Sequence, residues 1–211
     1  MKVNEIFHSI QGETTYAGMV CSFIRLTGCN LRCSYCDTTY AYYEGVEMTP
    51  NEVLRRVAEF NTSLVMITGG EPLLSPELNQ LVDSLSRHNY HILVETNGSL
   101  DIGRIEGKVI KIVDIKCPSS GMSEFIYWDN LNKLNPNDQV KFVIGNREDY
   151  QWAKEIVARN RLAEKLPVLI SPVFGKMEPR RLANWIIEDN LKVRFQLQLH
   201  KYIWGPDQRG V

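Results

Sequence analysis

The chain has 211 residues, 44% of them hydrophobic and 23% charged, an ordinary globular make-up with length enough for a sizeable core. Its 24 lysines and arginines stand against 25 acidic residues, and the net charge of -1 excludes a general attraction to nucleic acid or a membrane surface. Five cysteines, an odd number in a chain too large to need stapling, argue against a disulfide framework.

Taken in chain order, strand-like apolar runs fall at residues 3–10, 20–28, 63–68, 91–96, 109–115, 139–145, 167–173 and 193–199, most of them rich in β-branched residues. Between them lie helical patterns. TPNEVLRRVAEF begins with Thr49 as cap, Pro50 in the first turn and Glu52 completing a capping box. SPELNQLVDSLSRH opens the same way on Ser75 and Pro76, and residues 147–160 and 178–189 carry apolar positions at helical spacing. Alternating strands and helices predict an α/β fold on a parallel sheet. No repeat, low-complexity tract or linker divides it, so one domain over 1–211 is expected. No apolar run reaches the length of a membrane span, and MKVNEIFHSIQGE lacks the marks of a secretory signal; a cytoplasmic protein with a small-molecule ligand is expected.

Each strand is followed by a polar or glycine-rich loop: GCNLRCSYC, TGGEP, ETNG, DIKCPSSG, GNRED, SPVFGK and QLHK. In parallel α/β sheets and barrels the ligand site forms at the C-terminal strand ends, so these loops are expected to converge. The first of them carries the chemistry. Cys29, Cys33 and Cys36 in CxxxCxxC put three soft ligands on one loop. An iron-sulfur cluster with one open iron, a zinc site completed by Cys21 or His8, and three reactive thiols all remain open on spacing alone.

CxxxCxxC with the aromatic Tyr35 before the last cysteine, followed by ITGGEPLL at 67–74, resembles the radical S-adenosylmethionine enzymes. The resemblance implies an incomplete, TIM-like barrel of parallel strands with outer helices. It also implies a 4Fe-4S cluster on Cys29, Cys33 and Cys36, with S-adenosylmethionine chelating the open iron. EIFHSIQGETTYAG, FIRLTGCNLRCSYCDTTYA, VETNG, DIKCPSSG and QLQLHKYIW extend the likeness to the 7-carboxy-7-deazaguanine synthase family over nearly the whole chain.

That family converts 6-carboxy-5,6,7,8-tetrahydropterin to 7-carboxy-7-deazaguanine with loss of ammonia, on the route to queuosine, and uses magnesium. Its pattern implies substrate contacts at Ile10, Gln11, Gly12 and Glu13, where a carboxylate suits the N–H donors of an amidine-bearing ring. Arg25, in an apolar strand before the cysteines, is expected to hold the substrate carboxylate with its planar fork. Thr38 is implied as the magnesium ligand. Tyr35, Cys36, Asp37, Gly70, Cys117, Pro118, Ser119, Ser171 and Pro172 are implied at the cofactor, and Thr68 is a candidate substrate contact. Glu95 and Asn97 are candidates for the cofactor ribose or the ring, Asn97 the weaker because Asn-Gly favours turns. Cys117 is expected to offer backbone rather than a fourth thiolate. His200 and the closing DQRGV have no assigned role.

The resemblance further implies a homodimer and an electron donor such as flavodoxin or ferredoxin. Two other readings compete: a radical activase acting on a glycine of a partner protein, and a zinc-stabilised binding module. Arg25 and the IQGE segment speak against the activase, which needs no carboxylate clamp.

Overall fold

The structure, a computed structural model, describes residues 1–211. Two strands, β1 (Lys2–Ile10) and β2 (Val20–Leu26), form an antiparallel hairpin, and the two-residue β3 (Val46–Glu47) pairs with the outer edge of β1. From β2 onward the sheet is parallel, adding β4 (Leu64–Gly69), β5 (His91–Thr96), β6 (Ile110–Asp114), β7 (Gln139–Ile144), β8 (Val168–Pro172) and β9 (Arg194–Phe195) in that order. The sheet has edges at β3 and β9 and does not close, an open α/β barrel as expected. The hairpin and the short β3 beside it, also antiparallel to β1, are the exceptions to the predicted parallel sheet.

Six helices accompany it: α1 (Pro50–Ala58), α2 (Leu78–Arg87), α3 (Arg147–Arg159), α4 (Leu162–Lys165), α5 (Pro179–Glu188) and α6 (Leu199–Ile203). The Thr49–Glu52 capping box of α1 is present in both directions. Ser75 and Pro76 do not start α2: Ser75 ends a short 3-10 turn in extended backbone, and its hydroxyl donates to Glu77. No α-helix crosses from β5 to β6 or from β6 to β7. Short 3-10 turns do, organised by the buried Asn130, whose amide donates to the carbonyls of Gly98 and Leu100 and accepts from Ile102 N–H. The predicted strand at 193–199 stops after Phe195, because the chain turns into α6 and Leu199 N–H bonds the Gly12 carbonyl at 3.1 Å. No helix is long and apolar enough to cross a membrane.

The period of two along each strand sorts the side chains into two faces. Ile24, Val65, Ile67, Ile92, Val94, Val113, Val140, Phe142 and Ile170 point outward into the main core beneath Val53, Val57, Leu81, Leu85 and Tyr150 of the helices. Cys21, Leu64, Met66, Leu93 and Ile112 form a smaller apolar floor on the inner face. Two residues further along the same faces stand polar side chains: Arg25 after Phe23, Thr68 after Met66, Glu95 after Leu93, Asp114 after Ile112. The inner face is thus apolar below and polar at the C-terminal strand ends, and that change of character positions the site.

Candidate functional site

A cavity of about 710 Å³ opens over these strand ends. It is lined by the loop after β1, by β2, by the cysteine loop, by the ends of β4, β5, β6 and β7 and by the loop after β8; α6 and residues 206–211 close one side. The three cysteines of the CxxxCxxC loop all line it, half-buried and unbridged. Cys21 and Cys117 are fully buried in apolar packing and do not. Cys117 therefore supplies no fourth ligand to this cavity.

The two glycines after β4 bring the cysteine loop into place. A Cβ on Gly70 would lie 2.0 Å from the Gly28 carbonyl oxygen and 2.8 Å from Cys29 Cβ, and one on Gly69, at φ +143°, 2.2 Å from the Leu26 oxygen. Only glycine lets the two loops touch. Backbone bonds from Gly70 N–H to Leu26 and from Glu71 N–H to Gly28 fasten the contact. Glu71 is a buried strut: its carboxylate accepts from Leu73 N–H at 3.0 Å, Thr96 Oγ1 at 2.8 Å and Asn97 N–H at 2.7 Å. Burial pushes its pKa up against those bonds. Glu71→Gln turns one acceptor into a donor facing Asn97 N–H and is expected to cost about 2–3 kcal/mol, lowering Tm by roughly 5–10 °C in thermal unfolding.

Charged groups crowd the polar face. Lys141, its side chain 5% exposed, gives Nζ to Glu13 Oε2 at 2.8 Å and Glu95 Oε1 at 2.9 Å, with Asp114 Oδ2 at 3.6 Å. Burial disfavours its charge, but Glu13, Glu95 and Asp114 outweigh that and hold its pKa well above the ordinary lysine value. Lys116 Nζ pairs with Asp114 at 2.8 Å, and Thr68 Oγ1 donates to the second oxygen of Glu95. Two buried carboxylate oxygens in the cavity wall, Glu13 Oε1 and Asp114 Oδ1, have no partner, and neither does Gln11 Nε2. Buried polar atoms in such a wall call for partners that the chain itself does not supply.

Arg25 stands on the same inner face, four strands from Lys141, on β2. Its Nε bonds Glu5 Oε1 at 2.7 Å, its guanidinium lies over the Phe7 and Tyr40 rings, and Tyr40 hydroxyl donates to the same Glu5 oxygen at 3.1 Å. With Nε so engaged, the two terminal nitrogens are left for the cavity. On the cysteine loop, Thr38 hydroxyl donates to Asp37 Oδ1 at 2.8 Å, and Asp37 takes the Lys201 ammonium on its other oxygen. Cys29 Sγ accepts from Leu31 N–H and lies within reach of Asn97 Nδ2 at 3.8 Å.

Ile10, Gln11, Gly12, Glu13, Arg25 and Thr68 all line the cavity, as do Tyr35, Asp37, Thr38, Gly70, Glu95 and Asn97. Cys117, Pro118, Ser119, Ser171 and Pro172 do not line it; Ser119 bonds Asp149, and Ser171 is buried with its hydroxyl unpartnered. His200 lies on α6 against Gly12, where burial keeps its pKa below the usual imidazole value. Asp114, Lys116, Lys141 and Lys201 were not singled out in the sequence. A signal existed for two of them: Asp114 and Lys141 are charges inside largely apolar strands, IKIVD and QVKFVI, where a buried charge needs partners.

The Radical SAM superfamily is matched over residues 23–123, from β2 past the end of β6. The 7-carboxy-7-deazaguanine synthase of Chlorobaculum tepidum is 45% identical over 214 residues, covering 100% of this chain and 97% of that protein. The chain belongs to the 7-carboxy-7-deazaguanine synthase family. The synthase of Koribacter versatilis is 42% identical and is covered, like this chain, over 100% of its length. The crystal structure of QueE from Escherichia coli superposes with a TM-score of 0.77 at 23% identity, over 94% of each chain, which speaks for the fold. Like the other 7-carboxy-7-deazaguanine synthases, the protein is a carbon–nitrogen lyase using a 4Fe-4S cluster and S-adenosylmethionine.

The residues present fit that cluster. Three thiols of one loop face a common cavity, and the remaining cysteines are out of reach in the core. Burial pushes the Cys29 and Cys33 thiols up, so their thiolate forms call for a cationic partner such as iron.

Proposed function

We propose that the protein converts 6-carboxy-5,6,7,8-tetrahydropterin to 7-carboxy-7-deazaguanine with loss of ammonia, in queuosine biosynthesis. One observation carries this reading: the cysteine loop, the Arg25 fork and the unpartnered Glu13 oxygen share a single cavity. When bound, the cluster and cofactor supply one-electron cleavage of a carbon–sulfur bond and abstraction of a hydrogen atom from the substrate.

The rest is done by the chain's own groups. Cys29, Cys33 and Cys36 hold the cluster, and the Gly69–Gly70 turn sets the backbone beside it. Arg25 takes the substrate carboxylate on its two free nitrogens, aimed by Glu5 and Tyr40. Glu13 Oε1 and Gln11 meet the donors and acceptors of the pyrimidine ring. Tyr35, Asp37, Gly70 and Asn97 wall the cofactor side, and Glu95, tied with Glu13 to Lys141, stands on the ring side. We assign magnesium to Thr38, which lines the cavity and whose hydroxyl donates a hydrogen bond to Asp37 and keeps lone pairs for a hard cation that otherwise takes oxygen from substrate and water. Residues 206–211 lie along the cavity wall and help exclude water.

The electron donor in this reading is a small carrier of flavodoxin or ferredoxin type. The homodimer rests on resemblance, and sedimentation at micromolar concentration is expected to give twice the chain mass. The deciding experiment is an anaerobic assay of the iron- and sulfide-loaded protein with the carboxytetrahydropterin and S-adenosylmethionine. Deazapurine absorbance should rise in step with substrate loss. Deoxyadenosine without deazapurine would overturn the substrate while leaving the radical chemistry, and a colourless protein carrying one zinc would overturn both.

A further inference from the structure

We propose that Lys141 is a positioning residue for the pterin: a single ammonium fixes Glu13 and Glu95, so that the loop after β1 and the end of β5 present their carboxylates in set positions. The proposal rests on the substrate reading above and deepens it. Lys141 lies within β7, where all six residues are buried, and it rises from the inner face between Gln139 and Val143. Its ammonium has three protons, and three carboxylates from three separate elements surround it at 2.8, 2.9 and 3.6 Å.

Each carboxylate is thereby left with a defined remainder. Lys141 occupies Glu13 Oε2, so Oε1 is the one oxygen still free, and it is buried in the cavity wall without a partner. Lys141 occupies Glu95 Oε1 while Thr68 occupies Oε2, so Glu95 is held from two sides. The tethers of the loop after β1 include Gln11 N–H to Met19, Gly18 N–H to Gln11, Glu13 N–H to the Gln11 side chain, Thr15 N–H to the Gln139 side chain, the Gln196 amide to the Thr14 carbonyl and Leu199 N–H to Gly12. None of them touches the Glu13 carboxylate. Lys141 alone does, and so it decides where the ring's N–H donors are met.

The charge balance points the same way. Within the salt-bridged cluster Lys141 and Lys116 oppose Glu13, Glu95 and Asp114, which leaves one negative charge in excess there, while Arg25 stands four strand positions away on β2. A ligand with N–H donors at one end and a carboxylate at the other is thereby oriented one way round. An anionic end placed against Glu13 would be repelled.

The test uses Lys141→Met, which keeps the stem and removes the charge, and Lys141→Arg, which restores it. Binding of 6-carboxypterin is followed by its own fluorescence on the cluster-loaded protein without turnover, and KM and kcat are measured with the tetrahydro substrate. Lys141→Met is expected to weaken binding about 30-fold, with the loss appearing in KM far more than in kcat, and Lys141→Arg to recover most of it. Near-UV circular dichroism checks folding. Should Lys141→Met fail to fold around its unpaired carboxylates, Lys141→Met combined with Glu95→Gln carries the same expectation. Binding within about threefold of wild type, or equal losses in the Met and Arg variants, would overturn the role of Lys141. Absence of 6-carboxypterin binding by the wild type would instead overturn the substrate reading, and this inference with it.

Discussion

Arg25→Ala is expected to raise KM for the carboxytetrahydropterin by a few hundredfold, the equivalent of about 3–4 kcal/mol for a buried, bidentate charge pair. The magnitude follows from the surroundings. Glu5 occupies Nε at 2.7 Å, the Phe7 and Tyr40 rings lie 5.7 and 5.9 Å from the guanidinium carbon, and both Arg25 and Glu5 side chains are under a fifth exposed. The guanidinium is therefore pre-organised, so little freedom is lost when a carboxylate arrives. Removing it also leaves the Glu5 carboxylate unpaired beside the incoming anion, adding repulsion to the lost attraction. Arg25→Lys should recover only a small part, because an ammonium cannot bond Glu5 and a second carboxylate in one plane. Steady-state kinetics under anaerobic conditions, with deoxyadenosine and deazapurine counted separately, read the effect. A KM within threefold of wild type would remove Arg25 from the substrate site.

Gly70→Ala is expected to abolish activity by a different route, through loss of the cluster rather than of substrate affinity. The added Cβ would meet backbone at 2.0 Å, the Gly28 carbonyl, and the Cys29 side chain at 2.8 Å. Backbone cannot swing away as a flexible side-chain tip does, so the cysteine loop must shift, and Cys29 with it. Iron per chain after anaerobic reconstitution should fall below about a tenth of the wild-type value, since a ligand set displaced by about an ångström binds poorly. The outer core, built from Ile24, Val65, Val94 and the helices, does not involve this contact and should keep its circular dichroism. Full iron loading in Gly70→Ala would show that the two loops do not need to touch.

Much of this site was legible in the sequence because its chemistry is local. Cys29, Cys33 and Cys36 fall on one loop, Gly69 and Gly70 mark a tight approach, and Thr49 with Glu52 announces a helix, since each signal needs only its neighbours in the chain. Where partners are distant, the reading failed or stayed silent. The run at 193–199 alternates like a strand, yet Leu199 is drawn into α6 by a bond to Gly12, a residue 187 positions earlier. Ser75 has the chemistry of a cap, yet Glu77 takes its hydroxyl.

The kind of chemistry is written along the chain: a three-cysteine loop, a glycine turn after an apolar strand, and a full-length pattern that names a family. Which groups act together depends on the folded arrangement of the strands. Cys117 has a ligand's chemistry but is sealed in the core, while Lys141, inconspicuous in QVKFVI, gathers Glu13, Glu95 and Asp114 from three other elements. The physical reason is that strand alternation tells only which of two faces a residue takes, and the order of the strands tells which residues on that face become neighbours.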